Sequence, residues 1–241
     1  MEILQTGPGV VDVLMWLRWA DADYNAARLC LLNGLLVQGA ALSNTALEKY
    51  VKSLFAHRSF QVPGGHEVSS LYGKMKRESG SDLAVNESYL RLLQLAYKLR
   101  YPDDISDGFN IALNQIRLLV ELDRTVLKLT ERFEIRKNGE KVLLVLDRAI
   151  HDNDQKILQH NAALNPHIAS TLFATPSQSF DFRRHKGETY EATYISKSVE
   201  DSADFELEGF KVLADHKFKV AYKPFQESKS AAVGGMEQQQ V

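Results

Sequence analysis

Arg100 and Tyr101 stand together ahead of a proline, in the run Arg100-Tyr101-Pro102-Asp103. On a loop, a guanidinium can grip a phosphate or carboxylate through two parallel hydrogen bonds, and a neighbouring phenol ring can stack on a base. The same pair could instead bond helix-end carbonyls and plug a core. Lys49 and Lys52 share one helix face and could bind an anion jointly, or simply stand solvated. Asp21 and Asp23 cannot point the same way from one helix, so they do not make an acid and base pair. Asp21 alone can anchor a polar network or salt-bridge a lysine of the following helix. His66 carries an imidazole that titrates near neutral pH, and it reads either as the first-turn residue of a helix or as a ligand contact.

Other chemistries find less support. His151, His160 and His167 have spacings that match no compact helical ligand pair, and Cys30 is the only cysteine. The expectation is no metal, no disulfide and no cofactor. Gly7-Pro8-Gly9 and Pro63-Gly64-Gly65 lack the spacing and the following Lys-Ser/Thr of a phosphate loop, and no nucleophile elbow occurs. Phe180, Phe182, Arg183, Arg184, His185 and Lys186 interleave rings with cations, as single-strand platforms do, and fit an ordinary hairpin with a buried aromatic face equally well. No complete catalytic site emerges.

The elements that must position these residues are mainly helical. With 241 residues, 44% hydrophobic and 25% charged, the chain can bury a full core. Its net charge of −2 argues against nucleic-acid binding through an overall field and leaves room for a local patch. Met1 to Val11 lacks a secretory pattern, and no apolar run approaches the roughly 20 residues of a membrane span. A cytoplasmic protein is expected.

Leu14, Leu17, Ala20, Tyr24, Ala27 and Leu31 recur at helical spacing over 11–32, with Asn33-Gly34 as the stop. A second helix is predicted over 36–57, burying Leu47, Tyr50, Val51, Leu54 and Phe55 and turning Glu48, Lys49 and Lys52 outward. A third starts near His66, and a fourth spans 86–99 with Asn86 as its cap. A long fifth helix begins near Asp107 and runs through Ile111, Ile116, Leu119, Leu122, Val126 and Leu129. Asn138-Gly139 suits a left-handed helix cap better than a hairpin turn, though both fit. Residues 141–164 look helical, with a break at 151–154. From Phe180 the pattern alternates at the two-residue period of strands, in 180–183, 190–195 and 218–222, with Lys186-Gly187 as a turn.

Order and spacing along the first half resemble the HEPN family (higher eukaryotes and prokaryotes nucleotide-binding). The opening helix Trp16 to Leu29 sets Asp21 and Asp23 ahead of the step Ala26-Ala27-Arg28. Ala46-Leu47-Glu48-Lys49-Tyr50-Val51-Lys52-Ser53-Leu54-Phe55 is similar to the family's Glu-Lys-x-x-Lys helix, and His66 with Val68 and Leu71 to its histidine-led third helix. Arg100-Tyr101-Pro102-Asp103 before a long amphipathic helix is the most specific match. The resemblance implies an antiparallel up-and-down helical bundle, often dimeric, with a groove lined by polar residues. Some members are metal-independent ribonucleases that use an Arg followed after four to six residues by a His. This chain departs from that pattern: Arg58 and His66 are too far apart, Arg148 and His151 too close, and Arg184 and His185 adjacent.

The resulting expectation is a non-catalytic HEPN-type module that binds a nucleotide-like or anionic ligand, or RNA, or a protein partner. Arg100, Tyr101, Lys49, Lys52, His66 and Asp21 are its candidate contacts. A homodimer, a nucleotidyltransferase partner and no membrane association go with it. The competing expectations are a toxin-type ribonuclease with a divergent pair such as Arg100 and His66, and an interaction scaffold acting through its C-terminal part. The divisions are 11–135 for the bundle, 140–165 for an added helix, 170–227 for a β-rich extension and 228–241 for a disordered tail.

Overall fold

The computed structural model describes residues 3–4, 8–101, 103, 105–137, 139–165, 168, 171–172, 177–184 and 190–196. A short strand β1 (Ile3–Leu4) precedes the longest helix, α1 (Pro8–Leu32). The turn after it depends on Gly34, whose φ of +76° is left-handed and where a Cβ would lie 2.1 Å from Gln178 Oε1. A side chain there would be strained by the backbone conformation and would have to displace the Gln178 amide. The chain then reverses into α2 (Leu36–His57). Cross-helix partners confirm the antiparallel course: Asp23 meets Lys49, Asp21 meets Tyr50, and Trp16 meets Lys52.

Helices α3 (Val68–Ser79) and α4 (Glu87–Lys98) pack on α2. Gly80, at φ +62°, ends α3, and the Asn86 side chain accepts from Tyr89 N at 3.1 Å to start α4. The third helix therefore begins two residues later than expected, and His66 lies ahead of it rather than in its first turn.

The expected fifth helix is corrected at its start. Residues Asn110–Asn114 form a strand, β2, and helix α5 occupies only Gln115–Thr130. Ile111 and Leu113 are buried while Ala112 between them is exposed, which is the period of a strand. Asn114 then caps α5 by accepting from Arg117 N at 3.2 Å, and its amide donates to Ser177 and Ser179 at 3.2 Å each.

After α5 the chain forms a hairpin of β3 (Glu134–Lys137) and β4 (Glu140–Lys141), with β1 parallel to β3. The helix-cap expectation for Asn138-Gly139 is thus corrected in favour of the hairpin. Thr130 Oγ1 bonds back to Val126 O at 2.8 Å at the helix end, Phe133 turns into the core, and Val142 N closes onto Ile135 O at 2.8 Å. The next helical stretch is shorter than expected: α6 (Val145–Asp152), a left-handed Asn153 at φ +52°, and α7 (Gln155–Leu158) capped by Asp154.

Two of the three expected C-terminal strands are where the alternation placed them. Strand β5 (Gln178–Arg184) pairs antiparallel with β2 on one side and with β6 (Tyr190–Ser196) on the other. Phe180 packs into the main core, and Phe182 stacks beside it, so the aromatic side of this hairpin faces the helices. His185, Lys186-Gly187, the segment 218–222 and the tail 228–241 lie outside the described residues. The fold is mainly helical, with a small antiparallel sheet toward the C-terminus.

Candidate ligand site

Helix α4 ends in a turn closed by Arg100 N to Tyr97 O at 3.3 Å and Tyr101 N to Lys98 O at 2.9 Å. That turn brings three planar groups together. Arg100 Cζ lies 4.8 Å from the Tyr97 ring centroid and 5.5 Å from that of Tyr101, and the two rings are 6.3 Å apart. Arg100 and Tyr101 are exposed and Tyr97 is half-buried. The Arg100 side chain makes no ion pair or hydrogen bond among the described residues. Contact with the two ring faces does not use the guanidinium N–H groups, so the donors remain open to a bidentate acceptor.

Lys49 and Lys52 are placed differently. Lys49 forms an ion pair with Asp23 and lies 5.7 Å from the Trp19 ring centroid. Lys52 donates to Glu48 Oε1 at 2.7 Å and to the Gly65 carbonyl at 3.0 Å, and sits 5.4 Å from the Trp16 ring centroid. The expectation that Glu48 and Lys52 face outward is corrected: both are buried. The loop before α3 folds over them, and the ammonium replaces lost water with a carboxylate and a carbonyl. The exposed His66 imidazole completes the cluster, its Nδ1 3.1 Å from Glu48 Oε1. Lys52 and His66 thus converge on one carboxylate, whereas Arg100 shares no hydrogen-bond partner with either among the described residues.

Asp21 anchors a polar network, with a partner the spacing did not reveal. Its Oδ1 accepts from Tyr50 Oη at 2.7 Å and its Oδ2 from Arg148 Nη2, on α6, at 2.8 Å. Burial raises the Asp21 pKa, and the bonds from Tyr50 and Arg148 only partly oppose it. A carboxyl raised in the folded chain keeps its proton longer there than in the unfolded chain. Stability from this group is therefore full below its ordinary 3.8 and falls as pH rises through the folded value. Asp21→Asn should gain on the wild type as pH climbs, in urea midpoints measured across roughly pH 4 to 7. A variant that loses ground with rising pH would mean that the Arg148 ion pair outweighs burial.

Sequence reasoning missed the deepest polar group. Arg28 Nη1 meets both carboxylate oxygens of Asp123, its Nη2 donates to Gln159 O at 2.6 Å, Tyr24 Oη donates to Asp123 at 2.9 Å, and Asn161 donates to Tyr24 Oη at 3.1 Å. Arg28, Asp123, Tyr24 and Asn161 are fully buried. Burial works against the Arg28 charge, yet Asp123 and Tyr24 together raise its pKa. The signal was present: Arg28 follows Tyr24 by four and precedes Leu31 by three, on the apolar stripe itself, and Asp123 stands likewise between Leu119 and Val126. The network ties α1, α5 and the segment after α7 together. It has no exposed face, which makes it a structural clamp rather than a ligand site.

Among the described residues no three His, Cys, Asp or Glu side chains gather as a metal cluster, and no helix is long and apolar enough to cross a membrane. Comparison with known proteins gives one family: residues 13–132 match the family model described as HEPN domain. No curated protein and no solved structure matches the chain.

Proposed function

The chain carries a HEPN domain over residues 13–132, a nucleotide- or RNA-related module, and from that premise we propose that it is a non-catalytic binding protein whose ligand contact is the Arg100–Tyr101 end of α4. The observation that carries this reading is the contrast among its candidate cations. Lys49 and Lys52 are matched by Asp23 and Glu48, while Arg100 is stacked and unmatched among the described residues. A phosphate fits the open donors, and a base fits the exposed face of Tyr101. His66 lies against Glu48 and shares no hydrogen-bond partner with Arg100 among the described residues, which favours binding over the ribonuclease alternative.

The same reading extends to a homodimer formed through the helices, located in the cytoplasm, and to an accessory role beside a nucleotidyltransferase. Calorimetric titration of the purified chain with mononucleotides, short single-stranded RNA and inorganic phosphate tests the ligand. Binding that weakens steeply with added salt is expected, because the contact is ionic. If none of the three binds at low salt, the reading fails.

A further inference from the structure

Helix α1 is apolar on two faces, and the core explains only one of them. Val13, Leu17, Ala20, Tyr24, Ala27 and Leu31 are buried. Val11, Met15, Trp19, Ala22, Ala26 and Leu29 form a second stripe at spacings of four, four, three, four and three. At about 100° per residue these six fall within an arc of roughly 80°. Val11 is 67% exposed, Met15 45%, Trp19 61% and Leu29 45%. Seven large hydrophobic side chains are exposed among the described residues, and four of them lie on this one stripe, so the exposure is a patch rather than scatter.

We infer that two copies of the chain pack α1 against α1 along this stripe, antiparallel, about a two-fold axis that crosses the stripe midway between Trp19 and Ala22. This rests on the homodimer reading above and names its face and its symmetry. An isologous contact requires a surface that complements itself, and the order of side-chain sizes along the stripe does so. Large residues fill its first half and alanines occupy most of its second. A two-fold axis at that point sets Trp19 against the Ala22 of a second copy, Met15 against Ala26, and Val11 against Leu29. Each bulky group then meets a small one, or two of middle size meet, and the seam is level. Parallel packing would set Trp19 on Trp19 and Ala22 on Ala22, forcing the helices apart at one point and leaving a gap at the next.

No charged residue interrupts the stripe, and Arg18 stands at its edge, as the polar rim of an interface does. The four large side chains present on the order of 400 Å² of apolar surface. Doubled by symmetry and widened by the alanines and the rim, the contact reaches about 1,000 Å², the small end of specific interfaces. A dimer of that size dissociates on dilution.

Sedimentation of the full chain from about 1 to 100 μM should therefore show a monomer and dimer in exchange. Trp19→Glu and Met15→Lys should each give a monomer throughout, with the melting curve of the dilute, monomeric wild type by circular dichroism, because both positions face solvent in the single chain. In a Cys30→Ser background, mixing Met15→Cys copies with Ala26→Cys copies should give a disulfide-linked pair that neither variant gives alone. A dimer that survives both charge substitutions would overturn this face while leaving the homodimer reading intact. A wild type that is monomeric at every concentration would overturn both. Linkage within each cysteine variant alone, and not in the mixture, would overturn the antiparallel arrangement.

Discussion

Asp123→Ala should lower the stability of the folded chain by about 3–5 kcal/mol, the usual cost of leaving a buried charge without its partner. Arg28 is enclosed on all sides, and Asp123 is its counter-ion as well as the acceptor for the Tyr24 hydroxyl. With the carboxylate gone, the Gln159 carbonyl is the remaining acceptor for that fully buried guanidinium among the described residues. Because a domain of this kind is stable by only about 5–15 kcal/mol, that loss is a large share of the total and should lower the urea midpoint markedly. The double change Arg28→Met with Asp123→Leu should recover most of the loss, since an apolar pair of similar volume replaces the buried ions. It should stop about 1–3 kcal/mol short, because the Tyr24 hydroxyl then lacks its acceptor. Urea denaturation followed by circular dichroism measures both. A loss below about 1 kcal/mol for Asp123→Ala would show that the clamp does not hold α1 to α5.

Arg100→Ala should weaken binding of a phosphate-bearing ligand tenfold or more, which corresponds to about 1.4 kcal/mol or above. The fold should not change, because the side chain is exposed and bonds to nothing among the described residues. Arg100→Lys separates charge from geometry. It keeps the positive charge, loses the fork and the planar cation over the Tyr97 ring, and should recover only part of the affinity. Tyr101→Ala should cost affinity for nucleotides and RNA while leaving inorganic phosphate nearly untouched, since a bare phosphate has no base to stack. Calorimetry with the two ligand types distinguishes these outcomes. Equal affinities for Arg100→Ala and wild type would remove the α4 end as the contact.

Local signals carried much of the helical layout. Residues 36–57 were legible to the residue because Asn33-Gly34 precedes a long apolar stripe, and Asn86 announced α4 by its own side chain. Strand β2 was not legible, because Ile111 also fits the helical face of Leu118 and Leu122 and the ladder that decides the matter comes from Phe182 and Phe180, far along the chain. The Asn138-Gly139 hairpin was misjudged for a related reason: two-residue turns serve both ends of helices and pairs of strands, and only the parallel partner β1 and the burial of Ile135 separate them.

The candidate site was legible by residue type and less so by environment. Arg100 and Tyr101 stand where a loop was expected. Helical spacing alone puts Glu48 and Lys52 away from the main stripe, and their burial depends on Gly65 and His66, which approach from the next loop. Asp21 found Arg148 from a helix 127 residues away, a pairing that no local rule can specify.

Labelled single-stranded RNA, incubated with the full chain at low salt and followed by filter retention and by strand length together, tests binding without cleavage most directly. Retained RNA of unchanged length, released by Arg100→Ala, is the expected result. Shortened RNA whose production stops with His66→Ala would instead mark the protein as a nuclease.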